Sequence, residues 1–132
     1  MSDRFELDHL GLGRVTLICG DLAAETADVL VNEANDHLQM TGGVAGALRK
    51  RGGVAIHQEA IAMGPLPLGR VVRTSPGHLD ARVLYHAITQ DYELDRGISG
   101  KVVTTVVAES MRMAVEDEAE SVCFPLFGAG GG

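Results

Sequence analysis

Tryptophan is missing from this 132-residue chain, and aromatic residues make up only 4% of it. That scarcity argues against a single-strand nucleic-acid platform, which needs rings to stack bases. Positive charge is also short: 11 Lys and Arg against 18 Asp and Glu leave a net charge of -7, whereas a duplex binder carries a basic face. The basic cluster Arg49-Lys50-Arg51 falls at the end of a predicted helix, where cations complement the dipole in any case. Cysteine is limited to Cys19 and Cys123, with no CxxC and no Cys/His spacing. No metal site is therefore expected, and both cysteines are expected to be small buried hydrophobes in apolar strands. No apolar run approaches the ~18 residues needed to span a membrane. The opening MSDRFELD is acidic and unlike a secretory signal, so the expected location is cytoplasmic.

The usual catalytic and nucleotide signatures are missing as well. Gly11-x-Gly13 leads into a strand rather than out of one, and Thr16 stands where a dinucleotide fingerprint needs glycine. Gly97-Ile98-Ser99-Gly100-Lys101 resembles part of a phosphate-binding loop. It has Asp95 in place of the leading glycine and Val102 in place of the hydroxyl residue. There is no GxSxG elbow. His37, His57 and His86 share no ligand spacing, and His86, inside an apolar run, reads as a satisfied core histidine.

Glycine, by contrast, is plentiful at 17 residues, and hydrophobic residues reach 45%. A chain this long suits one domain and buries roughly two thirds of its unfolded surface. The organising stretch is 29–53, VLVNEANDHLQMTGGVAGALRKRGG. The apolar run Val29-Leu30-Val31 predicts a buried strand. A polar loop with Asn32, Glu33, Asn35 and Asp36 follows, then Gly42-Gly43, then a helical pattern that stops at Gly52-Gly53. A strand that enters a helix through glycines aims free N–H groups and the positive end of the dipole at the loop, which favours an anion there.

Further elements are read in order. Residues 4–9 and 15–19 alternate as strands, 22–26 make a helical turn, and 54–63 form a second helix ended by Gly64-Pro65. Residues 69–74, 83–89 and 122–127 read as strands. Residues 91–97 read as polar loop and 99–117 as a long helix capped by Ser99. Its inner stripe is expected at Val103, Val106, Val107, Ser110 and Ala114. The acidic end of that helix, Glu116-Asp117-Glu118, opposes the dipole without an evident local reason. Uniformly apolar strands alternating with helices predict an α/β fold, a three-layer α/β/α sandwich on a mixed sheet.

Asp21, Asn32, Asn35, Gly42, Gly43 and the terminal glycine run all fall at ends of apolar strands, where α/β sheets bind their ligands. Two glycine loops can close on a phosphate, because glycine lets backbone approach it and accepts positive φ. The plain alternative is that these residues only build turns.

The chain resembles the macrodomain family, the ADP-ribose-binding α/β/α module. The resemblance rests on Gly20-Asp21-Leu22, Val31-Asn32-Glu33-Ala34-Asn35, Gly42-Gly43-Val44 with Ala47, Tyr85-His86-Ala87, and Phe124-Pro125-Leu126-Phe127-Gly128-Ala129-Gly130. It implies that Asp21 accepts from the adenine amino group with the Leu22 N–H near the ring, and that Asn35 bonds the distal ribose. It further implies that Gly42, Gly43 and Val44 wrap the distal ribose and diphosphate, and that Gly128, Ala129, Gly130 and Gly131 donate N–H groups from the other side. Asn32 would be structural, tying loop backbone together. No metal and no cofactor is implied.

Three departures qualify the resemblance. Ala45 stands after Gly42-Gly43-Val44, where hydrolytic members of one branch carry an acid. Gly131 and Gly132 stand where the family places large apolar or aromatic side chains. The chain also stops where the family continues into another helix and strand. A single macro domain over 1–132 lacking that helix and strand is therefore expected, either with a homo-oligomer or symmetric partner completing the layer, or with disorder near Gly128. The leading functional expectation is binding of ADP-ribose or of ADP-ribosylated protein or small molecules, with no membrane or nucleic-acid partner. The rival is an ester hydrolase acting on O-acetyl-ADP-ribose or ADP-ribosylated carboxylates, with Asn35 and Gly43 as its catalytic residues and a water positioned by the substrate's own phosphate. A third expectation is a module that folds only with a partner.

Overall fold

A computed structural model of the chain describes the backbone of residues 3–7 and the whole of residues 13–91 and 98–129. Two strands come first, β1 (Asp3–Leu7) and β2 (Val15–Cys19), paired antiparallel in a sheet of their own. A 3-10 turn (Leu22–Ala24) leads to β3 (Val29–Asn35), α1 (Gly43–Gly52) and α2 (Val54–Met63). Next come β4 (Val71–Thr74), β5 (Val83–Gln90), α3 (Gly100–Glu116) and β6 (Val122–Cys123). The main sheet runs β4-β5-β3-β6, with β3 parallel to β5 and β6, and β4 antiparallel to β5.

The mixed sheet is covered on both faces, which is why β3 and β5 read as unbroken apolar runs. On one face Leu30 and Leu84 pack with Ala45, Leu48 and Ile56 from α1 and α2. On the other, Val29, Val31, Tyr85 and Ala87 pack with Val106, Met113 and Ala114 of α3. Strand alternation therefore sends Asn32 and His86, paired in register, to the α1 and α2 side, and sends Glu33 and Thr89 to the α3 side.

Several expectations need correction. β6 ends at Cys123 instead of running to 127, because Pro125 has no N–H for a ladder and Phe124 and Phe127 turn into the core against α3. β4 starts at Val71 rather than 69, since Gly69 turns at φ 92°. The α3 stripe buries Val106, Ser110, Met113 and Ala114, while Val103 and Val107 are only partly covered. Cys19 is exposed and Cys123 half-buried: β2 pairs with β1 away from the main sheet, so every second side chain of β2 faces outward. The expected loop 91–97 lies outside the described residues apart from Asp91.

The acidic end of α3 now has an account. Arg73 on β4 bonds both Asp117 (2.9 Å) and Glu116 (3.0 Å). Arg112, one turn back, takes Glu116 as well, and the Tyr85 hydroxyl donates to Asp117. These partners hold Asp117 and Glu116 below their ordinary carboxylate values, with the arginine hydrogen bonds as the largest cause, and offset the repulsion from the helix dipole. Among the described residues no helix is long and apolar enough to cross a membrane.

Candidate functional site

The carboxyl ends of the parallel strands β3, β5 and β6 point to one end of the domain, and the loops there carry most of the predicted site residues. Asp21 follows β2 and caps the 3-10 turn, its Oδ1 accepting from Ala23 N at 2.9 Å. Leu22 and Val44 pack against the same apolar cluster. The segment after β2 is thereby held against the first turn of α1.

Asn35 ends β3 at a register shift between Ala34 and Asn35. Its Oδ1 accepts from His37 N (3.0 Å) and Gln39 N (3.3 Å), and its Nδ2 donates to Gln39 O (3.3 Å). Asn35 is thus the residue that ties the loop backbone together, the part expected of Asn32, and it keeps one N–H on its amide for anything outside. Asn32 is 1% exposed and instead donates to His86 Nδ1 at 3.0 Å. His86 Nε2 lies 2.9 Å from Thr74 Oγ1, whose hydroxyl donates to Ser75 O at 3.1 Å. The Thr74 bond fixes the ring as the Nε2–H tautomer, and burial pushes its pKa down to about 4. His86 is the satisfied core histidine that its apolar run predicts.

Gly42, extended at φ -160°, precedes Gly43 at φ 57°, a left-handed value that favours glycine. Nothing lies within 4 Å of the Cβ position of either. The first helical bond of α1 runs from Gly46 N to Gly42 O (3.0 Å). The N–H groups of Gly43, Val44 and Ala45 therefore precede the ladder, and among the described residues no side chain caps them. The cations Arg49, Lys50 and Arg51 sit at the other end of this helix.

The second glycine loop comes to the same strand end. Gly128, at φ 81°, donates its N–H to both oxygens of Glu33, each at 3.2 Å. Ala129 N donates to Leu126 O at 3.3 Å. Gly130 and Gly131 lie outside the described residues. Glu33, to which the sequence reading gave no role, also accepts from Thr89 Oγ1 at 2.8 Å. In the sequence it stands out only as a charge between two asparagines in the stretch Val31-Asn32-Glu33-Ala34-Asn35.

Two concavities lie elsewhere. One is at the opposite strand end, between Asp28, Asp80, Arg82 and Ser121; the other lies between β4 and α3, along Arg70, Thr105 and Arg112. Among the described residues no group of three metal-ligating side chains forms.

Residues 31–132 match the Macro domain family. The chain belongs to that family. A macro domain-containing protein of Streptomyces coelicolor is 38% identical over 122 residues, covering 88% of this chain and 72% of that protein. An uncharacterised protein of Aeropyrum pernix is 41% identical over 115 residues, which are 86% of this chain and 59% of the relative. Among solved structures, the Oceanobacillus iheyensis macrodomain with ADP superposes at a TM-score of 0.83 and 22% identity, over 95% of this chain and 69% of that one. The Trypanosoma brucei macrodomain in complex with ADP-ribose superposes at 0.70 and 22% identity, over 80% of this chain and 43% of that one. The two solved structures share the macro domain fold with this chain.

Proposed function

We propose that this macro domain binds ADP-ribose, or an ADP-ribosyl group carried on a protein or small molecule, at the carboxyl end of β3. The observation that carries the reading is the amino end of α1: Gly42 and Gly43 have open space at their Cβ positions and uncapped N–H groups follow them. A diphosphate suits such an end because its charge meets both the amides and the helix dipole. Asp21 keeps Oδ2 for an adenine amino group while Oδ1 caps the turn. Asn35 offers its remaining amide N–H to a ribose. In the second loop the Gly128 N–H is already given to Glu33 and the Ala129 N–H to Leu126 O, so donors on that side would be the amides of Gly130 and Gly131. The macrodomain neighbours solved with ADP and with ADP-ribose support this reading.

Binding fits the residues better than hydrolysis. The first turn of α1 carries no acid, and Ala45, at the position after Val44, is 7% exposed. Both lone pairs of the Asn35 amide oxygen are used by loop N–H groups. Among the described residues the first turn of α1 thus offers no side chain as a base toward water, and an ester hydrolase working there would depend on the substrate's phosphate for that step.

Calorimetry with ADP-ribose is expected to give a 1:1 isotherm. Asp21→Asn, which keeps the cap but loses the second acceptor, is expected to weaken it about tenfold, the loss of one charged hydrogen bond. Absence of heat with the folded wild-type chain would end the reading. Turnover of O-acetyl-ADP-ribose by the same protein would instead favour the hydrolase.

A further inference from the structure

Gly128 is gripped from two directions. On one side its N–H meets the Glu33 carboxylate, 3.2 Å from each oxygen. On the other, a Cβ at this position would stand 2.6 Å from Cγ2 of Ile98, the second residue before α3. The φ of 81° is itself a glycine value. The carboxylate that makes the first contact is held in turn, because Oε2 accepts from the Thr89 hydroxyl at 2.8 Å, and Thr89 is 3% exposed near the end of β5. One side chain thus links β3, β5 and the loop after β6. It does so beyond the point where β6 stops pairing at Leu30↔Cys123.

We propose that Glu33 is a positioning residue: its carboxylate, through the Gly128 N–H, fixes the loop after β6 at the ligand end of the sheet. The ladder cannot do this, since it ends at Cys123 and Pro125 lacks an N–H. A carboxylate accepts main-chain N–H bonds strongly, and Thr89 fixes the rotamer that Glu33 must hold. A negative charge beside a diphosphate site would by itself oppose the ligand. The two roles therefore predict opposite signs: removing an anchor weakens binding, whereas removing a competing anion strengthens it.

The test reads the loop and the ligand separately, and only the ligand arm rests on the ADP-ribose reading. Amide hydrogen exchange is measured on the full chain for wild type, Glu33→Ala, Glu33→Gln and Thr89→Val. Exchange at Gly128 is expected to rise about tenfold or more in Glu33→Ala, with core amides of β3 and β5 unchanged. Glu33→Gln, which keeps an acceptor, should restore protection. Thr89→Val gives an intermediate loosening, and serves as the probe if Glu33→Ala fails to fold. Titration with ADP-ribose should weaken about tenfold in Glu33→Ala and stay near wild type in Glu33→Gln. Unchanged exchange at Gly128, a Glu33→Gln variant as loose as Glu33→Ala, or binding that is equal or tighter in Glu33→Ala would each overturn the proposal. If wild type shows no heat with ADP-ribose, the binding reading falls, and the anchoring of Gly128 is judged on exchange alone.

Discussion

His86 should make this domain weaken in mildly acidic solution, well above the pH where carboxylates are protonated. Its ring is fully buried, and its Nδ1 must stay unprotonated to accept from Asn32 at 3.0 Å. Protonation would place a hydrogen against the Asn32 NH₂ group and a charge in the core. Burial accordingly lowers the pKa from 6.5 to about 4, with Glu59 pulling weakly the other way. The unfolded chain binds the proton near the ordinary histidine value, so this contribution is complete above pH 6.5 and is lost as the pH falls toward 4. The full depression corresponds to about 3 kcal/mol, of which about 2 kcal/mol is lost between pH 7.5 and 5. Urea unfolding at several pH values across that range measures it. His57, also held below its ordinary value by burial and by Arg49, adds a slope of the same sign, but a His86→Gln variant keeps that part and loses the rest. The lowered carboxylates Glu109, Glu116 and Asp117 act only as the pH nears their ordinary values, at the bottom of the range. NMR of the His86 ring gives an independent reading. A ring that titrates near 6.5, or a slope unchanged in His86→Gln, would refute the reasoning.

Other consequences are as direct. Gly77→Ala should cost about 2 kcal/mol or more, because at φ 56° the new Cβ would stand 2.2 Å from Gly52 O; a wild-type melting temperature would show that the turn yields freely. Arg73→Ala should cost about 1 kcal/mol, since the arginine is half-exposed yet bonds both Glu116 and Asp117, and the loss should shrink in high salt. Tyr85→Phe removes the hydroxyl bond to Asp117 and should cost about 1 kcal/mol by urea unfolding. A double-mutant cycle with Arg73→Ala should then show coupling through the shared carboxylate.

The parts of this fold that were legible in the sequence are those with a local cause. Apolar runs marked β3 and β5 because both faces are covered, and paired glycines marked both ends of α1 through positive φ and capping. His86 was readable because a lone histidine in such a run has to be satisfied by neighbours. What escaped depends on strand partners far apart in the chain. The outward face of Cys19 follows from β2 joining β1 rather than the main sheet, and no local pattern encodes that. The acidic turn of α3 made sense only once Arg73 arrived from β4. At the candidate site, the residue types at Asp21, Asn35 and Gly42-Gly43 could be picked out, but the division of labour between the two asparagines could not. Asn32 and Asn35 are three residues apart, with a register shift just before Asn35. That geometry, rather than residue type, sends one into the core and the other into the loop.

The amino end of α1 offers only peptide groups, while its three cations sit at the far pole. An anion docked there would displace few mobile ions, so its affinity should change little with ionic strength, unlike recognition through lysine or arginine. It would also leave evolution with little to tune by charge substitution. Selectivity among phosphorylated guests would have to come from loop shape and from whatever lies beyond the phosphates.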